Sequence, residues 1–129
     1  MNPFQRTRQD HSKENAEDYV ELIDVLISET GRARAVDLAD RLGVSQVTVT
    51  KTVQRLHREG LVIARPYKSV TLTDEGRRVA SLAKERHELV LAFLIRLGVN
   101  PETAEVDAEG IEHHVSAETL EAMKKSLTF

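Results

Sequence analysis

From Ala35 to Gly60 the chain sets helix signals and a tight turn at offsets that few small folds accommodate. Val36, Ala39 and Leu42 recur at helical spacing over a short segment, Ala35 to Leu42. Gly43 supplies a turn and Val44 plugs it. Ser45 is a strong N-cap for a following helix that runs from Gln46 to about Glu59 and is closed by Gly60. The inward stripe of that helix is Val49, Val53 and Leu56, at i, i+4 and i+7. Its other faces carry Gln46, Thr48, Thr50, Lys51, Gln54, Arg55 and Arg58. Helix, short glycine turn and a second helix rich in Gln, Thr, Lys and Arg make a helix-turn-helix pattern. Leu61-Val62-Ile63-Ala64 and Ser69-Val70-Thr71-Leu72 then read as two short strands around the turn Arg65-Pro66-Tyr67-Lys68. A β-hairpin appended in this way is a wing, and the expected fold is a winged helix-turn-helix.

Helices are expected on both sides. Residues 1–14 are polar, contain Pro3 and show no apolar periodicity, so they are expected to be a flexible arm. Asn15 is a plausible N-cap for a helix to about Glu29, with Tyr19, Leu22, Ile23, Leu26 and Ile27 at helical spacing. Thr73 caps a long helix, Asp74 to Leu97, and Gly98 ends it. Asn100-Pro101 opens a fifth helix to about His114. Ser116 starts a sixth near Ala117. The expected class is mainly α, with an N-terminal winged helix-turn-helix over residues 15–73. Residues 74–129 are expected to form a C-terminal helical dimerisation domain.

Charge is distributed unevenly along the 129 residues, whose net charge is only −3. Residues 31–73 hold 8 Lys and Arg against 3 Asp and Glu, whereas residues 98–129 hold 2 against 7. A basic middle between acidic ends places the positive surface on the winged helix-turn-helix, where phosphates would meet it. Gln46, Val47, Thr48, Thr50, Lys51, Gln54 and Arg55 are the candidate DNA-facing residues of the second helix of the motif. Gln46, Val47 and Thr50, near its N-terminus, would reach base edges. Lys51, Arg55, Arg32, Arg34, Arg65 and Lys68 would contact phosphates. With no cysteine, disulfides and thiolate metal sites are excluded. No apolar run approaches bilayer length and the N-terminus has no signal-peptide h-region, so a cytoplasmic protein without a membrane partner is expected.

The acidic C-terminal third contains Asp107-Ala108-Glu109-Gly110-Ile111-Glu112-His113-His114. On a helix, Glu109, Glu112 and His113 share one face at i, i+3 and i+4. Two carboxylates and an imidazole on one face disfavour one another unless a cation lies between them, and a divalent metal fits that role. A plain solvated polar face is the alternative. Asp18 and Glu21, at i and i+3 on the first helix, are either another half-site or ordinary acids near a helix N-terminus. His87 lies mid-way along the long helix. His87-Glu88-Leu89-Val90-Leu91 lacks the second His of a zinc-protease motif, and neither Glu109 nor His87 completes the Glu-x-x-His of di-iron bundles. No nucleophile arrangement and no phosphate-binding glycine loop stands out. An enzyme with a small organic substrate is not expected.

The chain resembles the manganese transport regulators, within the diphtheria-toxin-repressor class of metal-dependent repressors. The resemblance runs from about Glu17 to Met123. It rests on Glu17-Asp18-Tyr19-Val20-Glu21, Leu42-Gly43-Val44-Ser45, Val49-Thr50-Lys51, Leu72-Thr73-Asp74-Glu75-Gly76, Arg86-His87-Glu88-Leu89 and Glu109-Gly110-Ile111-Glu112-His113-His114. It implies a homodimer with a paired metal site in each subunit, ligated by Asp18, Glu21, His87, Glu109, Glu112 and His113, with His114 a neighbour. Asp18 at the discriminating position, the absence of cysteine and an end at Phe129, before any third SH3-like domain, point to the manganese branch. The C-terminus looks short for the family, and the last helix is expected to be truncated relative to some members.

The function implied is Mn²⁺-activated repression of manganese uptake genes through operator DNA, in the service of metal homeostasis. Metal would relieve carboxylate repulsion and link the two modules, fixing the spacing of two recognition helices in a dimer formed through Leu89, Val90, Phe93, Leu94, Leu97 and Leu120. Two alternatives stay open: an Fe²⁺-responsive regulator of the same fold, and a metal-independent winged-helix DNA-binding protein.

Overall fold

A computed structural model of the chain describes every residue except Tyr67 and Phe129. The element order is α1 (Pro3–Thr30), α2 (Ala35–Leu42), α3 (Gln46–Arg58), β1 (Val62–Ile63), β2 (Thr71–Leu72), α4 (Asp74–Arg96), α5 (Pro101–Ile111) and α6 (Ala117–Ser126). The fold is mainly helical with a small antiparallel hairpin, as the sequence leads one to expect. Two compact units form. Residues 16–81 make one; residues 1–15 together with 82–129 make the other. No helix among the described residues is long and apolar enough to cross a membrane.

In the first unit, Tyr19, Val20, Ile23 and Leu26 of α1 bury with Leu38 of α2 and Val49, Val53 and Leu56 of α3. Gly43 takes φ 69°, which makes the sharp turn between α2 and α3 possible without a Cβ clash. The Ser45 hydroxyl accepts the Thr48 backbone N–H at 3.1 Å and caps α3. The hairpin pairs Val62 with Leu72 and Ile63 with Thr71. Its two-residue strands are shorter than the four-residue runs expected, because Val70 leaves the ladder and donates to the Ala33 carbonyl at 2.8 Å. The side chain of Tyr67, expected in the wing turn, lies outside the described residues.

The largest departure is at the N-terminus. The expected arm is helical from Pro3, not from Ala16. Asn2 and Gln5 bond reciprocally, Gln5 N–H to Asn2 Oδ1 at 2.9 Å and Asn2 N–H to Gln5 Oε1 at 3.0 Å, in a capping box with Pro3 at the first helical position. Apolar periodicity missed this extension because its contacts are polar. Arg6, Asp10 and Glu14, four residues apart on one face, all meet His114 in the second unit's own fold.

Gly76, in the first turn of α4, is fixed by crowding. A Cβ there would stand 2.0 Å from the Leu61 carbonyl oxygen. Thr73 locks the same corner, its hydroxyl donating to the Gly60 carbonyl at 2.6 Å and accepting the Gly76 N–H at 3.0 Å. Gly110, also helical, meets nothing within 4 Å of its would-be Cβ. Gly76→Ala is therefore expected to lower stability by about 1–3 kcal/mol, and Gly110→Ala to raise it by about 0.5–1 kcal/mol. Urea unfolding midpoints of the two variants check the pair; equal shifts would contradict this packing.

Candidate functional site

In the second unit α4 and α5 meet at a cluster of carboxylate and imidazole side chains. Ala83 of α4 and Ala104 and Ala108 of α5 have no exposed surface. His87, mid-way along α4, lies at the acidic face of α5. Its Nε2 lies 2.7 Å from a Glu105 oxygen. Its Nδ1 lies 3.0 Å from Glu112 Oε2 and 3.5 Å from Glu109 Oε1. Glu112 Oε1 in turn lies 3.1 Å from His113 Nε2. The side chains of Glu112 and His113 are both fully buried, while that of Glu109 is 58% exposed.

The local backbone differs from the expected helix to His114. The α-helix ends at Ile111, and Glu112 is its C-cap, with φ −56° and ψ −30°. Residues 112–114 form a turn, with the His114 N–H donating to the Ile111 carbonyl at 3.0 Å. Glu109 and Glu112 still meet on one side, because the C-cap keeps helical angles. His113 is not the surface residue that its polarity suggests. It is 3% exposed, so truncating it would open a cavity as well as remove a nitrogen donor.

Burial pushes the His87 imidazole toward the neutral form. The hydrogen bond that His87 donates to Glu105 and the charges of Glu112, Glu109 and Glu105 outweigh it, and the pKa is raised. A buried carboxylate beside two imidazoles in a three-acid, sulfur-free neighbourhood can accommodate either a proton on His87 or a hard to borderline cation. His87, Glu109 and Glu112 each offer a donor atom within 4.8 Å of the others'.

Asp18 and Glu21 stand on α1 within the first unit, both partly exposed. One acidic residue of the cluster, Glu105, is not among the candidates that the sequence offers, and the burial of another acid, Glu17, is not foreshadowed there. Glu105 precedes Glu109 by one helical turn, a spacing visible in the sequence. Glu17, one turn before Glu21, is 2% exposed, and no apolar pattern marks it.

The DNA-facing candidates are all on the first unit's surface. Gln46, Val47, Thr48, Thr50, Lys51 and Gln54 of α3 are exposed, and Arg55 partly so, with its Nε 3.6 Å from Glu59. Arg32, Arg34, Arg65 and Lys68 are exposed as well, Arg34 being paired with Asp37 at 3.1 Å. The Thr48 hydroxyl is bonded to Ser45 Oγ at 3.0 Å, so it serves the cap. Val47, 64% exposed on a helix whose other valines are buried, is the apolar residue of that face with no internal packing role.

Residues 11–70 match the family described as iron dependent repressor, N-terminal DNA binding domain. Residues 73–129 match iron dependent repressor, metal binding and dimerisation domain. A transcriptional regulator MntR of Escherichia coli O6:H1 is 53% identical over 121 residues, which cover 94% of this chain and 78% of that protein. The chain belongs to the MntR regulators, within the iron-dependent repressor family. An HTH-type transcriptional regulator MntR of Geobacillus thermodenitrificans is 43% identical over 100 residues, 78% of this chain and 71% of that protein. A manganese-dependent transcriptional repressor solved in complex with manganese superposes with a TM-score of 0.78 at 34% identity, over 88% of this chain and 53% of the other. The manganese regulator SloR gives a TM-score of 0.74 at 29% identity, over 87% and 53%. The chain thus spans about half the length of these solved relatives.

In the metal-free protein, removing the Glu105 charge removes a group that holds the proton on His87. Glu105→Gln should lower the His87 pKa, read from imidazole resonances in an NMR titration. The raised native pKa also means that His87 adds stability below its unfolded value of about 6.5, and that this contribution is lost as pH rises through the native pKa. An unmoved His87 titration in Glu105→Gln would contradict the geometry.

Proposed function

We propose that the chain is a Mn²⁺-activated repressor of manganese uptake genes that binds operator DNA as a homodimer and has no catalytic role. The observation that carries this reading is the buried Glu112 carboxylate, flanked by His87 at 3.0 Å and His113 at 3.1 Å with Glu109 at the solvent edge. These donors fit a hard or borderline divalent ion, since they are carboxylate oxygens and imidazole nitrogens without sulfur. His87, Glu109, Glu112 and His113 are the proposed ligands of the helical unit. Asp18 and Glu21 complete the proposed set on the strength of the family resemblance, and a paired site per subunit rests on the same ground.

A bound divalent cation supplies positive charge that offsets the clustered carboxylates. The chain's own residues do the rest. Glu112 is oriented before binding, because its two oxygens are already directed at His87 and His113. His87 must give up a proton to ligate, so affinity should fall as pH drops. Glu105, bonded to the other ring nitrogen of His87, orients that imidazole.

On the DNA side, Gln46, Val47 and Thr50 are proposed to read base edges. Arg32, Arg34, Lys51, Arg55, Arg65 and Lys68 are proposed to meet phosphates, with Thr48 and Gln54 on the same surface. The dimer surface is proposed to include Leu97, which is 65% exposed, with half-buried Leu89, Phe93, Leu94 and Leu120. Val90, expected there too, has no exposed surface and already belongs to the core of the single chain.

Operator affinity measured against added Mn²⁺, with and without chelator, tests the reading. Tight binding that requires Mn²⁺ is expected; chelator-insensitive binding would favour the metal-independent alternative, and an equal response to Fe²⁺ at matched free concentration the iron-responsive one. Lys51→Ala should weaken binding on all sequences alike and lower the salt slope by about 1. Gln46→Ala should relax preference at one base position, by about 1–3 kcal/mol for a bidentate contact. Asp18→Met exchanges a hard anionic donor for a soft neutral one and should erase the preference for Mn²⁺ over Fe²⁺. An unchanged Mn²⁺ response in that variant would remove Asp18 from the ligand set.

A further inference from the structure

A second group of nitrogen and oxygen donors lies in the helical unit, apart from the Glu112 cluster. His11 and Glu14 stand on α1 and His114 in the turn after α5, with one donor atom from each within 4.8 Å of the others'. The His11 and His114 rings meet edge to face, their centroids 5.5 Å apart and their planes at 85°. Glu14 Oε2 lies 2.8 Å from His114 Nε2. Asp10 Oδ2 lies 3.5 Å from His114 Nδ1. His114 therefore has a carboxylate at each ring nitrogen. That is the arrangement in which one nitrogen ligates a metal while a carboxylate on the other fixes the tautomer and the ring's orientation.

Its surroundings hold the group in place. Arg6 donates to the His114 backbone carbonyl at 3.1 Å and lies 3.6 Å from Asp10, so the helix and the turn are linked through the backbone as well. An open cleft lined by Pro3, Arg6, Thr7, Asp10, His11 and His114 leaves the group accessible from solvent. The Arg6 charge is directed at Asp10 and the carbonyl, which leaves Glu14 to face the two imidazoles.

We propose that His11, Glu14 and His114 form an additional divalent-cation site with two imidazole ligands, one carboxylate ligand and an open fourth position. Two nitrogens and one oxygen suit a borderline ion that accepts tetrahedral geometry, above all Zn²⁺, in contrast to the carboxylate-rich set around Glu112. Tetrahedral bonds of about 2.1 Å put ligand atoms about 3.4 Å apart. Rotation of the exposed His11 side chain closes the remaining gap. Occupancy would fasten the N-terminal turns of α1 to the turn that carries Glu112 and His113, giving the chain an input from a second metal. This inference does not depend on the manganese reading.

Co²⁺ is the probe, because its four-coordinate complexes absorb strongly in the visible and its six-coordinate ones weakly. Titrating the full chain with Co²⁺ should develop an intense visible band that Zn²⁺ abolishes by displacement. His11→Ala and Glu14→Gln, both at accessible positions, should each lose the band while keeping the native circular dichroism. A band retained in both variants, or no intense band in the unaltered chain, would overturn the proposal.

Discussion

The proposed manganese cluster of the helical unit depends on one buried carboxylate. Glu112 is fully enclosed, and an ionised group so placed costs several kcal/mol unless it is compensated. Two imidazoles stand beside it, one on α4 and one next along the chain, at 3.0 and 3.1 Å but without completing a hydrogen bond to either oxygen. The end of α5 at Ile111 matters as much. The turn that follows lets His113 fold inward beside Glu112, while Glu109, on the last helical turn, remains at the solvent edge. A proton on His87 and the proposed divalent cation would be rival solutions to the same electrostatic problem, which would link pH and metal.

The DNA-binding unit rests on a different constraint, steric rather than electrostatic. Gly43 turns the chain so that α3 can pack Val49, Val53 and Leu56 inward and leave its polar faces outward. Gly76 lets the start of α4 lie against the Leu61 backbone, which fixes the hairpin to the corner where α4 begins. The proposed recognition surface therefore has a fixed base, and the residues proposed to meet DNA are exposed side chains upon it. That separation is what a helix-turn-helix reader requires.

Much of this was legible in the sequence, wherever a regular period or a cap governs the backbone. The bounds of α2, the Ser45 cap, the buried stripe of α3 and the Asn100-Pro101 opening of α5 all follow from local chemistry. The first 14 residues were not legible in the same way. Their helix is set by a capping box and by polar contacts of Arg6, Asp10 and Glu14 with His114, and neither produces an apolar period. The residues of the proposed metal cluster were half legible. Spacing brought Glu109 and Glu112 together, and the structure adds His87 to them. Spacing could not show that the helix stops at Ile111, that His113 turns inward, or that Glu105 takes the other nitrogen of His87. Those outcomes depend on α4 being close by, which no local window of the sequence contains.

Manganese binding by Glu112→Gln, measured by calorimetry on the otherwise intact chain, decides whether the buried carboxylate holds the ion. The substitution keeps the shape of the side chain and removes its charge from the buried cluster. Heat of Mn²⁺ binding is expected to be lost at concentrations that saturate the unaltered chain, with native circular dichroism retained. Undiminished Mn²⁺ affinity in a folded Glu112→Gln chain would contradict it.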